Sequence, residues 1–347
     1  MLNDADERPI GYRPIMSERQ ILDFRAGNPW TERAATTFRT VSQTAWADPT
    51  HPSSEGRRSA TWREAIHATV AQCTGFGHVR FAPNRRSAYA QLAASGITPQ
   101  AVPLTHRRHV LRLAQHHLAV DADGAWRGAL PDGTWIGFQV ANDETGVRDA
   151  LPTGRRILLD SDVALGRIAL PSAADVIVAD ARAWGSPVDC ALVLARQPLD
   201  FLESVQVSTM AVATEALTDA LQHMPERSVD ESNAMDALEQ RLQAEIPDVQ
   251  FHGTNRVGHI RSFSVLHLDG ETLMRALDEA GYVVGSGSAC AQDGSPSDVL
   301  AAMGRITHGN VRLALPVHCD LTKLSAFADT LIATVARLRR EAGVDDL

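Results

Sequence analysis

The sequence contains almost no lysine. Of its 33 basic residues only Lys323 is a lysine, and the other 32 are arginines. A genome biased towards arginine codons explains this count, but the count still restricts the chemistry. Catalysis through a lysine Schiff base has one candidate nitrogen in the whole chain. Lys323 starts an amphipathic C-terminal helical pattern that is typical of a surface charge.

Cysteines are also few. The four are Cys73, Cys190, Cys290 and Cys319, and they form no CxxC pair and no Cys/His spacing typical of a metal site. We therefore expect no metal centre. A disulfide framework would be unusual in a chain of this size, so we expect reduced thiols and a cytoplasmic protein.

Long apolar runs and an excess of basic charge are absent as well. No apolar stretch reaches the ~20 residues that a membrane span needs. The N-terminal MLNDADERPI lacks the basic start and apolar run of a secretion signal. The net charge is −9, which disfavours a general nucleic-acid surface. We expect neither membrane nor direct nucleic-acid binding.

Short, nearly continuous apolar runs bounded by Gly, Pro and Asp are present before residue 200. They are TWIGFQV (134–140), RILLD (156–160), DVIVA (175–179) and CALVLA (190–195). Such runs are typical of strands buried on both faces of a parallel sheet. With the helical patterns between them they predict an α/β architecture, in which ligands bind at the carboxyl ends of the strands.

The last third of the chain predicts a second lobe of helices on a small sheet. SFSVLHL (262–268) and VRLALPV (311–317) are strand-like, whereas DESNAMDALEQRLQAEI (230–246) and LSAFADTLIATVARL (324–338) have helical spacing. Between these segments, GSGSACAQDGSPSDVL (285–300) places Cys290 in a run of Gly and Ser that predicts an exposed loop. A displayed thiol in a chain with few cysteines is a candidate reactive group, although thiol reactivity depends on its pKa.

Five segments, in order, resemble one known family. They are ADPTHPSSEGRRSA (47–60), QVANDETGV (139–147), DSDVALGRIALP (160–171), GSGSACAQDGSPSDVLAAMG (285–304) and GNVRLALP (309–316). These resemble GNPSSxHxxGRxAR, NNETG, DAVQALGKIPLD, SSGSAC…EPSHVLxAMG and SIRFSLG of the cysteine desulfurases. That family lies in the class V aminotransferase branch of the fold type I pyridoxal-phosphate (PLP) enzymes.

The resemblance implies a fold and a domain division. We expect a fold type I PLP-transferase-like α/β protein with a mainly parallel, seven-stranded-type sheet in a large domain, residues 21–224. Residues 1–20 and 225–347 are expected to form a smaller α+β domain that carries the Cys290 loop. Since desulfurases are dimers, the resemblance also implies a homodimer, or a heterodimer with an active desulfurase.

The resemblance also implies site residues. In the family a lysine holds PLP as a Schiff base, and a loop thiolate takes sulfur from cysteine as a persulfide. Cys290 occupies the position of that thiol. Arg312 matches the arginine that binds the substrate carboxylate, and Asn142 matches the first Asn of NNETG near it. Asp160 matches the aspartate that keeps the pyridine nitrogen protonated.

The Schiff-base lysine itself is missing. The segment DARAWGSPVDCA (180–191) aligns with the family's SAHKWGGPAGVG, which puts Arg182 in the histidine slot and Ala183 in the lysine slot. Alanine has no nitrogen, and a guanidinium stays protonated, so neither forms a Schiff base. We expect no cofactor, because covalent PLP cannot form at Ala183.

Further differences converge on the same pocket. The phosphate cradle FTSGATE corresponds here to FAPNRRS (81–87), and other contact positions have changed too. The residues concerned are Asn84, Arg85 and Arg86 in the cradle, Arg107 (or His106 after a one-residue slip) at the ring-stacking position, Val163 at a ring-contact glutamine, and Thr209 in the loop that contacts a partner subunit's phosphate. This pattern fits loss of PLP chemistry.

Three functional hypotheses follow. The first is a pseudoenzyme that acts as a partner or scaffold in sulfur mobilisation. The second is a relay in which Cys290 carries persulfide sulfur to an acceptor protein. The third is an enzyme that binds PLP without a covalent link, or another small ligand in the emptied cleft.

The arginines of the pocket each have two possible interpretations. Arg85 and Arg86 are interpreted either as solvated charges or as a new anion site at a helix start. Arg312 fits either ligand binding or a salt bridge in the old carboxylate site. Crowded cations need compensation, so we expect acidic partners such as Asp160 or Asp180, or a bound anion.

Overall fold

A computed structural model describes residues 19–287 and 296–344 of the chain. The strands are β1 Gln20–Ile21, β2 His78–Ala82, β3 Pro99–Pro103, β4 His116–Val120, β5 Trp126–Arg127, β6 Trp135–Gln139, β7 Arg156–Asp160, β8 Val176–Asp180, β9 Ala191–Ala195, β10 Val249–Phe251, β11 Ile260–Val265, β12 Tyr282–Val283 and β13 Asn310–Ala314. The α-helices are α1 Glu32–Thr44, α2 Ser54–Thr74, α3 Arg85–Ala94, α4 Arg108–Leu111, α5 Val207–Gln222, α6 Met224–Glu245, α7 Gly270–Glu279, α8 Asp298–Ala302 and α9 Leu324–Ala342. Short 3₁₀ helices cover Phe24–Ala26, Ala181–Trp184 and Leu321–Lys323.

The large sheet has the strand order β2-β9-β8-β7-β6-β3-β4-β5. Its central strands β8, β7, β6, β3 and β4 pair in parallel, and β9 is antiparallel to both β8 and β2. Seven strands of five residues correspond to the predicted sheet, and the two-residue β5 adds an eighth at the edge. The predicted α/β class with a mainly parallel sheet is confirmed.

The apolar runs form this sheet because their side chains are buried on both faces. Ile157 and Leu159 pack into the core on one face, and Leu158 and Val176 pack into the core on the other. Such two-sided burial explains why the strands have no polar alternation. Helices α1, α2 and α5 contact one another on the first side, and α3 packs against β2, β8 and β9.

A second sheet, β10-β11-β13, has its own core. Helices α6, α7 and α9 contact each other or its strands there. β1 pairs with β12, and Leu22 is buried in this smaller core. The strand predicted at 262–268 instead ends at Val265, because His267 adopts a left-handed backbone with φ 65° that a strand cannot continue.

The topology brings several loops to one edge of the large sheet. Strands β3, β6, β7 and β8 run in the same direction, and β2 shares it since both β2 and β8 are antiparallel to β9. The segments that follow these five strands therefore meet at a common carboxyl edge, where α/β proteins bind ligands. In the described ranges, no helix is long and apolar enough to cross a membrane.

Candidate functional site

A cavity of about 1030 Å³ opens at the carboxyl edge of the large sheet. The cleft at this edge is therefore open. Eight arginines line it: Arg25, Arg85, Arg86, Arg107, Arg108, Arg112, Arg182 and Arg312. Its acidic lining is Asp143, Glu144, Asp180 and Asp298. This composition favours anions over neutral or cationic ligands.

Arg107 occupies the centre of a buried ion-pair network. Its Nε lies 3.0 Å from Asp160 Oδ2, its Nη1 2.7 Å from Asp143 Oδ2 and its Nη2 2.8 Å from Asp162 Oδ2. Burial is the largest influence and would raise the pKa of Asp160, but the charges of Arg107, His106 and Arg85 and the hydrogen bond from Arg107 together hold that pKa below its usual range. Asp160 is thus a carboxylate that is already bound by an internal guanidinium.

Arg85 belongs to the same network. It forms an ion pair with Asp162, and its Nε lies 3.3 Å from Asp180 Oδ2. Asp180 also binds Arg182, whose Nη2 is 3.2 Å from Asp180 Oδ2. The expected acidic partner Asp180 is therefore present, and Arg85 is not a solvated charge. Burial and repulsion from Arg107 lower the pKa of Arg85 to about 9.

The helix start that would cradle a phosphate is capped by its own side chain. Asn84 Oδ1 accepts hydrogen bonds from Ser87 N at 3.0 Å and from Ser87 Oγ at 3.3 Å. One amide at the start of α3 is therefore satisfied internally. Arg86, the second residue of α3, is exposed and lines the cavity.

Ala183 lies in the 3₁₀ helix Ala181–Trp184 and is completely buried. Its neighbour Trp184 is also buried and donates from Nε1 to Ala213 O at 2.9 Å. Asp180 caps this helix by accepting from Arg182 N. The residue in the lysine slot is thus a core methyl group with no nitrogen.

Arg312 lies in β13, and both it and its partner are buried. Its Nη2 lies 2.6 Å from Asp23 Oδ2, and the two side chains are only 3% and 6% exposed. Gly285 pairs with Arg312 through its backbone, and a Cβ there would overlap Asp23 Oδ2. The salt-bridge reading of Arg312 agrees with this contact.

The N-terminal segment that supplies Asp23 was not identified from the sequence. Arg25 in the same segment forms an ion pair with Asp143, and Asn28 Nδ2 donates to Arg182 O at 2.9 Å and to Ser186 O at 3.2 Å. Residues 23–28 therefore reach into the cavity wall at three points. No local pattern marked them, because their partners lie more than 100 positions away in the chain.

Asn142 holds the turn after β6. Its Oδ1 accepts from Glu144 N at 3.0 Å and from Thr145 N at 2.9 Å, and its Nδ2 donates to Thr105 O at 2.9 Å. Both the oxygen and the nitrogen of the side-chain amide are therefore hydrogen-bonded, and they stabilise the turn as asparagine side chains often do. Asn142 is buried and does not contribute to the cavity lining described.

The sequence left open whether His106 or Arg107 occupies the ring-stacking position, and the structure places both side chains at the cavity. The side chain that reaches Asp160 is that of Arg107. Burial lowers the pKa of His106 to about 4, so its imidazole is neutral at pH 7. Val163 is buried in the core, and Thr209 lies in α5, outside the described cavity lining.

Cys290 lies outside the described residues, as does the rest of 288–295. Gly287 and Pro296, which flank that segment in the sequence, both line the cavity. Burial raises the pKa of each of the other three thiols, Cys73, Cys190 and Cys319, in the last case to about 11. None of these three has the lowered pKa that activates a thiol.

Across residues 19–287 and 296–344, no cluster of three or more His, Cys, Asp or Glu side chains is arranged to hold a metal ion. PLP is the cofactor that the fold implies, and the residues present do not fit it in its Schiff-base form. Ala183 offers no amine, and Arg107 binds the carboxylate that a pyridine nitrogen would need. No step through PLP is derived for this site.

Asp149 gives the site region a pH-dependent stability. Burial raises its pKa from the usual 3.8 to about 7, although Gln139 N donates to it at 3.0 Å. Because the folded pKa is the higher one, this carboxyl contributes stability that is complete below pH 3.8 and is lost as the pH rises through about 7.

Asp149→Asn is therefore expected to be more stable than the wild type at pH 8, by about 1–3 kcal/mol. The two proteins should converge near pH 4. Urea unfolding at both pH values measures this, with Asp132→Asn, an exposed carboxyl, as the control. Parallel pH profiles for the wild type and Asp149→Asn would contradict the assignment.

No family model matches the chain. Part of it is similar to curated cysteine desulfurases. It is 32% identical over 115 residues to the cysteine desulfurase of Nostoc sp., which covers 31% of this chain and 29% of that protein. It is 35% identical over 108 residues to cysteine desulfurase IscS of Clostridium botulinum, which covers 29% and 27%. The matched segment thus spans less than a third of these relatives' length.

The fold is shared much more widely than the sequence. A NifS-like protein superposes with a TM-score of 0.78 at 15% identity, covering 92% of this chain and all of that one. A NifS-like protein from Rickettsia africae gives 0.78 at 15% identity, with coverage of 91% and 99%. The apo cysteine desulfurase from Thermococcus onnurineus gives 0.74 at 15% identity, with coverage of 92% and 95%. The fold is that of NifS-like proteins, and the resemblance to cysteine desulfurases is supported by both comparisons.

Proposed function

We propose that this protein is a cysteine-desulfurase-like pseudoenzyme, without PLP chemistry of its own, that acts as a partner or scaffold in sulfur mobilisation. One observation carries the proposal. The two charged groups that correspond to ring and substrate binding, Asp160 and Arg312, are both buried and bound to internal partners, Arg107 and Asp23.

The pairing of Asp160 with Arg107 supports loss of cofactor chemistry. A protonated pyridine nitrogen needs a free carboxylate, and here the guanidinium lies 3.0 Å from it. Displacing Arg107 would leave buried charges without their partners, which costs about 3–5 kcal/mol. The site therefore favours its own arginine over an incoming ring.

The pairing of Arg312 with Asp23 supports loss of substrate binding in the same way. The Asp23 carboxylate binds the guanidinium of Arg312, the group whose counterpart in cysteine desulfurases binds the substrate carboxylate. Their contact of 2.6 Å is that of a strong, charge-assisted hydrogen bond. A free amino acid would have to compete with an internal group that is permanently tethered.

The remaining lysine does not restore the chemistry. Lys323 ends the 3₁₀ helix Leu321–Lys323, is exposed, and lies outside the described lining of the cavity. Covalent PLP would therefore need a rearranged small domain. The role proposed instead is that of a partner, either as a homodimer or beside an active desulfurase.

The relay form of the proposal involves Cys290. Its thiolate would attack the outer sulfur of a desulfurase persulfide, forming a new S–S bond while the donor cysteine leaves as a thiolate. This exchange needs no external oxidant or reductant, because the sulfane sulfur keeps its oxidation state. The alternative is a small-ligand-binding enzyme of the same family, and the open arginine-lined cavity favours binding of a non-covalent ligand.

The relay is tested by incubating the full-length protein with an active cysteine desulfurase and cysteine, followed by alkylation and peptide mass spectrometry. We expect a +32 Da adduct on the Cys290 peptide, about the mass of one sulfur atom. Cys73→Ser should keep the adduct and Cys290→Ser should lose it. An unmodified Cys290 beside a turning-over desulfurase would exclude the relay and leave the scaffold role, which co-purification with that desulfurase tests separately.

A further inference from the structure

We infer that the cavity is a binding site for a compact, multiply charged anion, a small molecule with two or more phosphate or carboxylate groups, held by the exposed Arg86 and Arg112 at its mouth, with His109 in the same lining. This inference does not depend on sulfur mobilisation. It would hold for a ligand-binding scaffold as well as for an enzyme.

Two of the eight arginines that line the cavity have no carboxylate partner in the part of the chain that the structure describes. The other six, among them the exposed Arg108, each form an ion pair with a carboxylate. Arg86 and Arg112 are exposed side chains of the lining and form no ion pair with a carboxylate of the described residues. Two uncompensated guanidinium groups facing one concave space create a field that attracts anions.

His109 adds a hydrogen-bonding group beside these arginines. Its Nε2 is shielded from solvent and has no hydrogen-bond partner among the described residues, although it lines the cavity. Burial and the charges of Arg107, Arg85 and Arg86 lower its pKa to about 4. A neutral imidazole at pH 7 can therefore donate one hydrogen bond to an oxyanion without adding a charge.

A bound anion would also stabilise the positive charge inside the cavity. Arg85 is a buried cation whose charge is opposed by Arg107 and Arg25, so its aspartate partners do not fully offset its desolvation. An oxyanion that reaches from the mouth towards Arg85 would supply the missing negative charge. The ligand is thus expected to span both regions rather than to rest on the rim.

The size of the cavity and its arginine side chains together indicate the class of ligand. About 1030 Å³ is at the upper end of the range of ~300–1,000 Å³ typical of small-molecule sites. Arginine forks bind planar carboxylates and phosphates with two parallel hydrogen bonds, which selects oxyanions over halides.

Isothermal titration calorimetry of the full-length protein tests the inference, with inorganic pyrophosphate and citrate as probes at 150 mM NaCl. We expect one site for at least one of them. Arg86→Gln and Arg112→Gln should each weaken binding about tenfold, and the double variant about a hundredfold. Arg340→Gln, an exposed arginine of α9 outside the cavity, is the matched control and should bind like the wild type.

The two probes separate the sources of the anion. Tighter binding of pyrophosphate would identify a phosphate ligand, and tighter binding of citrate a polycarboxylate. Failure of both to bind at 5 mM would overturn the inference, as would equal weakening by Arg340→Gln. Because the titration contains no cysteine and no desulfurase, its failure is independent of the sulfur-transfer result.

Discussion

Arg107→Ala is expected to lower the free energy of unfolding by about 3–5 kcal/mol, the largest effect predicted for a single side chain of this site. Arg107 contacts Asp143, Asp160 and Asp162, and its own side chain is only 8% exposed. Removing it leaves buried carboxylates facing each other without their shared cation. Urea unfolding at pH 7 measures the loss.

Arg112→Ala is the matched control, because Arg112 lines the same cavity but is exposed. Its effect should stay within about 0.5 kcal/mol. Pairing Arg107→Met with Asp160→Asn should recover part of the loss, since the buried charge is removed together with its partner. A loss below about 1 kcal/mol for Arg107→Ala would contradict the view that Arg107 holds the buried carboxylates together.

The same network has a defined pH dependence. Burial raises the pKa of Asp160, but Arg107 and the neighbouring positive groups together keep it below its usual 3.8. A depressed folded pKa contributes stability that is present above 3.8 and is lost as the pH falls through the folded pKa. The wild type should therefore lose stability at strongly acidic pH. Asp160→Asn should lack this component of acid unfolding.

Asp23→Ala is the second large effect, with an expected loss of about 3 kcal/mol or more in unfolding free energy. It removes the carboxylate 2.6 Å from Arg312 Nη2, and both side chains are buried. It also removes the side-chain contact between the N-terminal segment and β13, although Leu22 O still accepts from Ala314 N at 2.8 Å. Thermal and urea unfolding of the full-length protein measure both consequences.

Asp278→Ala is the control for Asp23→Ala. Asp278 also pairs with an arginine, Arg19, but its side chain is 59% exposed, so the change should cost less than about 1 kcal/mol. Equal effects of the two substitutions would contradict the view that Asp23 occupies Arg312 as an internal ligand. Asp23→Asn should lie between them, because it keeps one hydrogen bond and loses the charge.

Much of the fold was predictable because burial leaves a simple pattern. RILLD matched β7 at 156–160 residue for residue, and the other three runs matched β6, β8 and β9 within one residue at each end. Such strands are apolar on both faces, so their composition alone marks them. The edge strand β5 has two residues and no such pattern, and it was missed.

Within the site, the sequence alone was sufficient only where the identity of a single residue determines the chemistry. Ala183 could be identified from the surrounding Trp184, Gly185 and Pro187, and its lack of an amine needs no structure. The pairing of Arg107 with Asp160 was not predicted, because the alignment left open whether Arg107 or His106 occupies the ring-stacking position. The Arg312–Asp23 pair joins positions 289 apart in sequence, and no local signal relates them.

The most direct test of the central claim is an absorbance titration of the purified full-length protein with PLP, followed by borohydride reduction and peptide mass mapping, with an active cysteine desulfurase in parallel. We expect no internal-aldimine band and no reduced PLP adduct on any peptide of this protein, while the desulfurase shows both. A stoichiometric band with a reduced adduct, on Lys323 or elsewhere, would contradict it and would mean that this fold retains covalent PLP chemistry through a different amine.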